Sequence, residues 1–322
     1  MGKAGPLEHS EDCHFLTIFT PSRTGSRPVL VWIHGGSYVT GSGESSSYDA
    51  SVLSKEGDIV VVNITYRLGV FGYHYGETPA QRNLGLKDQL TALRWIKENI
   101  HHFGGDSSRI TLAGQSSGGH SVATLIATCR EPLFRKAIIQ SAPLSFSRTA
   151  EKAEKYAGKL QKLAGKPLEN ATTEELLNAQ SAYLSSSKSN LPFQPAGVNL
   201  FGPSAVPSLE EVFLTCQKDD VSPLARWLPL PLATLASRFL FISPAKRYAK
   251  KLKKEGIRAH LEVFDWRPEG SPLGACHCLE LALLFGDWER WKESAMLGNT
   301  SKEEWEDRGK ALRRRWIDFV KK

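Results

Sequence analysis

The feature that most constrains the fold is a series of short apolar segments, rich in β-branched residues, that alternate with helical patterns. Four of them lie in the first half of the chain, at residues 28–33, 59–65, 109–113 and 136–140. Strands that are apolar at nearly every position are buried on both faces, as in a parallel sheet covered by helices. Leucines and isoleucines between Leu84 and Ile100 recur at helical spacing until Gly104 and Gly105 end the helix. This order predicts an α/β fold with a mostly parallel central sheet.

The second half of the chain begins with a segment of different character, at about residues 146–207. It contains a Lys/Glu/Ala-rich helical stretch at 149–163, a second helix opening at Thr172, and a loop-like stretch at 185–207. Strand patterns then resume at 212–216 and 260–266, and an amphipathic helix follows at 302–320. We expect one domain over residues 1–322, with a helical cap or lid inserted at about 146–207.

Composition indicates a folded protein and argues against nucleic-acid binding. The net charge of +7 comes largely from runs at 246–254 and 308–322, which interleave with apolar residues and predict solvated helix faces. No apolar run reaches the ~20 residues of a membrane span, and the first ten residues have no signal-peptide core. Five cysteines, an odd number, leave at least one free thiol and favour a reducing compartment. We therefore expect a cytoplasmic protein; the sequence leaves its oligomeric state open.

The strongest chemical motif is Gly114-Gln-Ser-Ser-Gly118, which has the form G-x-S-x-G. It lies directly after a predicted strand and directly before a predicted helix, which is the setting of a nucleophile elbow. A sharp turn there exposes the serine, and the following helix N-terminus directs its amides at developing negative charge. The motif predicts Ser116 as a nucleophile. The alternative, a glycine-rich turn with an incidental serine, does not explain this setting.

A second glycine motif, His34-Gly35-Gly36, follows the strand at residues 28–33. Loops of this composition and position supply backbone N–H groups to the oxyanion hole of α/β hydrolases. On its own, a pair of glycines after a strand is typical of a simple turn. Together with the elbow, it predicts an oxyanion loop.

These motifs, with several longer ones, give the sequence a strong resemblance to the type-B carboxylesterase and cholinesterase family, and especially to its para-nitrobenzyl-esterase-like members. The similarity is continuous over about residues 10–145 and returns at 201–220 and 239–286. It implies an α/β-hydrolase fold and a serine esterase with a catalytic triad and an oxyanion hole. The matching stretches are residues 10–21, 31–36, 63–72, 83–89, 103–106 and the elbow through Gly119.

The resemblance also implies site residues. The oxyanion-hole amides map onto Gly36, Ser37 and Ser117, and Ser37 replaces a glycine that is usual in the family. In the chain order Ser, acid, His, only His260 and His277 come late enough to be the base. His260 begins a strand pattern, whereas His277 lies in a segment similar to the family's histidine loop.

The acidic member of the triad is harder to assign than the serine or the histidine. Residues 212–220 resemble the family's strand and loop that end in two acids, so Asp220 is the predicted triad acid. Asp219 and Asp265 remain alternatives. An aspartate in place of the family's commoner glutamate serves the same purpose, which is to fix the imidazole tautomer and to stabilise the imidazolium.

The expected function is the cleavage of short- to medium-chain acyl esters through an acyl-enzyme intermediate, with no cofactor and no metal. Residues 276–278, Cys-His-Cys, suggest metal binding, but neighbouring ligands do not easily close one tetrahedral site. A lipase, thioesterase or carbamate hydrolase on the same site is an alternative, as is a catalytically inactive adhesion-type binding protein. Residues 1–9 contain no aromatic side chain for a choline-type leaving group, which argues against a cholinesterase.

Overall fold

A seven-stranded sheet with helices on both faces forms the centre of the computed structural model, which describes residues 9–146, 148–186, 193–220 and 230–322. The strand order is β1-β3-β2-β4-β5-β6-β7, and only β1, at one edge, is antiparallel to its neighbour. The predicted mostly parallel sheet is therefore confirmed. The strands are β1 (Leu16–Phe19), β2 (Arg27–Ile33), β3 (Val60–Ile64), β4 (Gly105–Gln115), β5 (Lys136–Gln140), β6 (Glu211–Gln217) and β7 (Arg258–Phe264).

The described residues contain eleven α-helices, and a π-helical stretch (Arg238–Ile242) joins two of them into one continuous helical rod. Two short helices in the first part of the chain, Ser51–Gly57 and Gly69–Tyr73, were not expected from the sequence. The helices are α1 (Ser51–Gly57), α2 (Gly69–Tyr73), α3 (Leu84–Asn99), α4 (Ser117–Thr128), α5 (Ala150–Ala164), α6 (Thr173–Ser186), α7 (Leu230–Ser237), α8 (Ser243–Lys254), α9 (Leu279–Leu284), α10 (Trp288–Trp291) and α11 (Lys302–Lys321).

Alternate residues of the central strands enter two separate cores, one on each face of the sheet. In β2, Val29 and Val31 pack with α3, α4 and α8, whereas Leu30 and Trp32 pack with α1, α9 and α11. Trp32 lies with its ring centroid 6.0 Å from that of Trp316 on α11. Burial on both faces explains why these strands are continuously apolar rather than alternating.

The segment predicted as a cap forms a helical layer built mainly from α5 and α6. Thr149 caps α5 by accepting a hydrogen bond from the Lys152 amide at 3.4 Å. Gln180 of α6 accepts a hydrogen bond from the backbone of Val70 at 2.8 Å, which ties this layer to α2. Residues 147 and 187–192 of the segment lie outside the described residues, and its role as a lid stays a prediction.

None of the helices over the described ranges combines the length and the apolar character that a membrane span requires.

Helix α4 packs directly against the end of β2, and Gly118 is the residue at the contact. A Cβ atom added at Gly118 lies 2.1 Å from the carbonyl oxygen of Ile33 and 2.7 Å from that of His34. Both neighbours are backbone atoms, which move only if the strand or the helix moves. The absence of a side chain at Gly118 thus fixes how α4 is placed over the sheet.

We expect Gly118→Ala to destabilise the fold by at least the ~1–3 kcal/mol that is typical of overpacking, because no side chain can turn aside to relieve the clash. Gly158 on α5 is the matched control: it is exposed, and a Cβ there meets nothing within 4 Å. Gly158→Ala should raise the free energy of unfolding by about 0.5–1 kcal/mol. Urea denaturation of both variants measures the two effects, and equal stabilities contradict the prediction.

Candidate active site

The nucleophile candidate Ser116 lies at a sharp turn between the last residue of β4 and the first residue of α4. Its backbone has φ 57° and ψ −123°, a conformation that a residue with a Cβ atom rarely adopts. The Ser116 amide donates a hydrogen bond to the carbonyl oxygen of Gln140 at 2.9 Å, at the end of the neighbouring strand β5. This bond holds the strained turn to the carboxyl edge of the sheet.

The predicted oxyanion loop runs beside this turn. A Cβ atom added at Gly35 lies 3.1 Å from the Cβ of Ser116, so the loop passes close to the nucleophile. Gly36, Ser37 and Tyr38 follow one another with φ values of 117°, 57° and 62°. Among the described residues, no acceptor pairs with the amides of Gly36, Ser37 and Ser117. The three predicted donors are therefore available to a ligand.

Buried aromatic and imidazole side chains hold this unusual loop in place. The hydroxyl of Tyr38 donates to Nδ1 of His120 at 2.7 Å, and Nε2 of His120 donates to the carbonyl oxygen of Phe146 at 3.0 Å. Burial lowers the pKa of His120 to about 4, so the ring is neutral and has one donor and one acceptor. The His34 ring stacks on that of Tyr66 with centroids 4.5 Å apart. Burial lowers the pKa of His34 to about 4 as well.

His277 meets Asp220 in the loops that follow β7 and β6. Nδ1 of His277 lies 2.9 Å from Oδ1 of Asp220, and both side chains are buried. The other carboxylate oxygen of Asp220 accepts a hydrogen bond from the Gln217 amide at 2.8 Å. With Nδ1 donating to the carboxylate, Nε2 of the neutral imidazole is left as an acceptor, which is the tautomer of a general base.

The two alternative acids occupy other environments. Asp219 is fully buried, accepts the Ala275 amide at 3.0 Å and forms an ion pair with Arg267 at 3.1 Å. It thereby joins the acid loop to the histidine loop, and no hydrogen bond links its carboxylate to the imidazole. Asp265 is half-exposed and pairs with Lys218 at 2.5 Å.

The free nitrogen of His277 contacts Gln115 rather than Ser116. Nε2 of the imidazole lies 3.2 Å from Nε2 of the Gln115 carboxamide, and no hydrogen bond joins it to the Ser116 hydroxyl. Phe241, at the junction of α7 and α8, covers the imidazole with its ring centroid 5.6 Å away. The imidazole is thus shielded from water next to the turn at Ser116.

A second buried acid, Glu280, stands behind the His277–Asp220 pair. Its Oε2 accepts a hydrogen bond from the Gln217 side chain at 2.5 Å, while Oε1 has no partner among the described residues. Burial and the nearby charge of Asp220 raise the pKa of Glu280 to about 8. The carboxyl group is therefore protonated at neutral pH and adds no second negative charge to the site.

The charges around His277 act in opposite directions. Burial lowers its pKa, but the Cys278 sulfur and the Asp220 carboxylate raise it by more, and the result lies well above the usual value. A raised pKa keeps the imidazole protonated to higher pH than in a free histidine, so Nε2 can accept a proton only as the pH rises further.

Four residues of this site were not predicted from the sequence: Tyr38, Gln115, His120 and Glu280. One indication of them was present in the sequence, because each lies within four residues of a predicted site residue. As for the Cys-His-Cys triplet, the described part of the chain has no group of three or more His, Cys, Asp or Glu side chains that could hold a metal ion.

The parallel sheet, and a serine at the turn from β4 into α4, define an α/β hydrolase. The chain belongs to the carboxylesterase family, whose model matches residues 2–226. Its fold and its predicted membership of this family are thus confirmed.

Similar proteins span almost the whole chain. A probable N-octanoylanthranilate hydrolase of Rhodococcus erythropolis is 33% identical over 99% of this chain and 78% of its own. The para-nitrobenzyl esterase of Bacillus subtilis is 32% identical over 97% of this chain and 74% of its own. Among solved structures, a carboxylesterase of Geobacillus stearothermophilus superposes with a TM-score of 0.83 at 29% identity, over 97% of this chain and 77% of the other.

The raised pKa of Glu280 predicts how the stability of the fold changes with pH. Between its unfolded value of 4.5 and its folded value of about 8, the folded state binds more protons, so stability falls as the pH rises through this range. We expect Glu280→Gln to flatten that fall, because an amide keeps the acceptor for Gln217 but does not ionise. Thermal unfolding across this pH range measures it. The exposed Glu154→Gln is the control, and parallel curves for all three proteins contradict the prediction.

Proposed function

We propose that this carboxylesterase uses Ser116 as nucleophile, His277 as general base and Asp220 as the acid that orients the base. The observation that carries the proposal is the 2.9 Å contact between Nδ1 of His277 and Oδ1 of Asp220, next to a strained serine turn. A buried carboxylate at this nitrogen fixes the tautomer in which Nε2 accepts the serine proton.

Available backbone donors support the assignment of Gly36, Ser37 and Ser117 to the oxyanion hole. Their amides have no acceptor among the described residues, and the loop is anchored by Tyr38 and His120. Donors that are fixed in advance stabilise a developing oxyanion without reorganisation, and each is worth about 2.7–4 kcal/mol in the transition state.

The proposed reaction proceeds in two acyl transfers. Ser116 Oγ attacks the ester carbonyl while His277 Nε2 takes its proton, and the tetrahedral intermediate collapses as that proton passes to the leaving alcohol. The acyl group is then esterified to Ser116. His277 next activates a water molecule that attacks this ester, releases the carboxylic acid and restores the serine hydroxyl.

We further propose that the acyl groups are short to medium in length. One relative is named for an N-octanoyl substrate and another for para-nitrobenzyl esters, which supports acyl chains up to medium length and aromatic leaving groups. The Phe241 ring over His277 also provides an apolar wall beside the reacting carbonyl.

Substitution of the nucleophile and the acid tests the proposed triad. We expect Ser116→Ala to lose about 10⁴-fold or more of the activity, and Asp220→Asn to lose about 10⁴-fold because the amide supports the wrong tautomer. Hydrolysis of para-nitrophenyl butyrate measures both, and a fluorophosphonate should label the wild-type protein once, at Ser116. Asp265→Asn is the matched control, since its exposed side chain forms surface ion pairs with Lys218 and Arg267 and no hydrogen bond with His277. Retained activity in Ser116→Ala refutes the nucleophile, and retained activity in Asp220→Asn refutes the acid.

A series of para-nitrophenyl esters tests the chain length. We expect kcat/KM to stay high from acetate through butyrate to octanoate and to fall sharply for palmitate, since the proposed site accommodates acyl groups only up to medium length. The comparison is made below the critical micelle concentration of each ester, so that the rates refer to single molecules. A maximum at palmitate identifies a lipase instead.

A further inference from the structure

The side chain of Gln115 touches the nitrogen of His277 that has to receive the serine proton. Gln115 is the last residue of β4 and directly precedes the nucleophile, and its side chain is buried. Its carboxamide nitrogen lies 3.2 Å from Nε2 of His277 and 3.3 Å from Sγ of Cys278. The amide group therefore has an acceptor for each of its two hydrogens.

These two acceptors determine which end of the carboxamide faces the imidazole. Nδ1–H of His277 donates to Asp220, so Nε2 presents a lone pair when the ring is neutral. The amide nitrogen of Gln115 donates to that lone pair, whereas an oxygen in its place would repel it. The ring is thus held at both nitrogens, by an acid on one side and by an uncharged donor on the other.

The neutrality of Gln115 matters because several acidic side chains already lie near His277. Asp220 and Cys278 raise its pKa, Glu280 lies close enough to interact with it, and the charge of Asp219 is compensated in its ion pair. A further carboxylate at Nε2 would favour the imidazolium, which cannot accept the serine proton. The titratable groups that act on His277 are Asp220, Cys278 and Glu280, while Cys216 and Cys276 lie near Asp220 and Glu280.

We propose that Gln115 is a positioning residue for His277: its uncharged carboxamide holds Nε2 beside the nucleophile turn and keeps the imidazole neutral at lower pH than a carboxylate could. This inference rests on the proposed roles of Ser116 and His277. The contact yields to the Ser116 hydroxyl when substrate binds, because Nε2 has one lone pair and accepts one strong hydrogen bond at a time.

Two substitutions separate the parts of the proposal. Gln115→Met keeps the length of the side chain but removes the donor, and we expect kcat at alkaline pH to fall about tenfold with KM unchanged, as for a misplaced reacting group. Gln115→Glu keeps the shape but adds a carboxylate next to the base. We expect the acidic limb of the pH profile of kcat/KM to shift to higher pH by about one pH unit or more.

The control is Gln194→Met, which removes another buried glutamine amide, one with no hydrogen bond to Ser116 or His277, and should leave both readouts unchanged. Each enzyme is assayed with para-nitrophenyl butyrate after titration of its active sites with a fluorophosphonate, so that a loss of folded protein does not count as a loss of rate. Wild-type kcat in Gln115→Met, or an unmoved acidic limb in Gln115→Glu, overturns the inference. Failure of the fluorophosphonate to label Ser116 in the wild type overturns the proposed triad instead.

Discussion

The candidate site depends on how closely α4 can approach the end of β2. Gly118 allows backbone to pack against backbone there, since a Cβ atom would lie 2.1 Å from the Ile33 carbonyl oxygen. This approach brings the start of α4 beside the loop that follows β2. Both Ser116 and the free amides of Gly36 and Ser37 owe their proximity to it. The contacts of Tyr38 with His120 and of His34 with Tyr66 then hold the loop after β2 in place.

Buried polar groups hold these loops in place, and their protonation states keep the net charge of the site low. His34 and His120 are neutral because burial lowers the pKa of each to about 4. Glu280 is neutral for the opposite reason, since burial raises its pKa to about 8. Asp220 is therefore the carboxylate that pairs with His277, and the charge of Asp219 is compensated by Arg267. Asp220 thus directs Nδ1 of the imidazole without competition from a second carboxylate.

Much of the fold could be predicted from the sequence, because a strand buried on both faces leaves a continuous apolar pattern and Gly114–Gly118 leaves a distinct motif. The edge strand Leu16–Phe19 escaped because it is only half-buried and short. Tyr38 and Gln115 escaped for a different reason: their roles come from contacts with residues that lie far away in the chain. The roles of Ser116, His277 and Asp220 stay predictions until they are tested by substitution.

The neighbouring acids Asp219 and Asp220 join the loop after β6 to the loop after β7. The Asp219 amide donates to the carbonyl oxygen of Ala275, and the Ala275 amide donates to the Asp219 carboxylate. Asp220 contacts His277, two residues after Ala275. The two loops are consequently joined twice within three residues and should open and close as one cooperative unit. A fluctuation that frees the histidine loop also withdraws the acid.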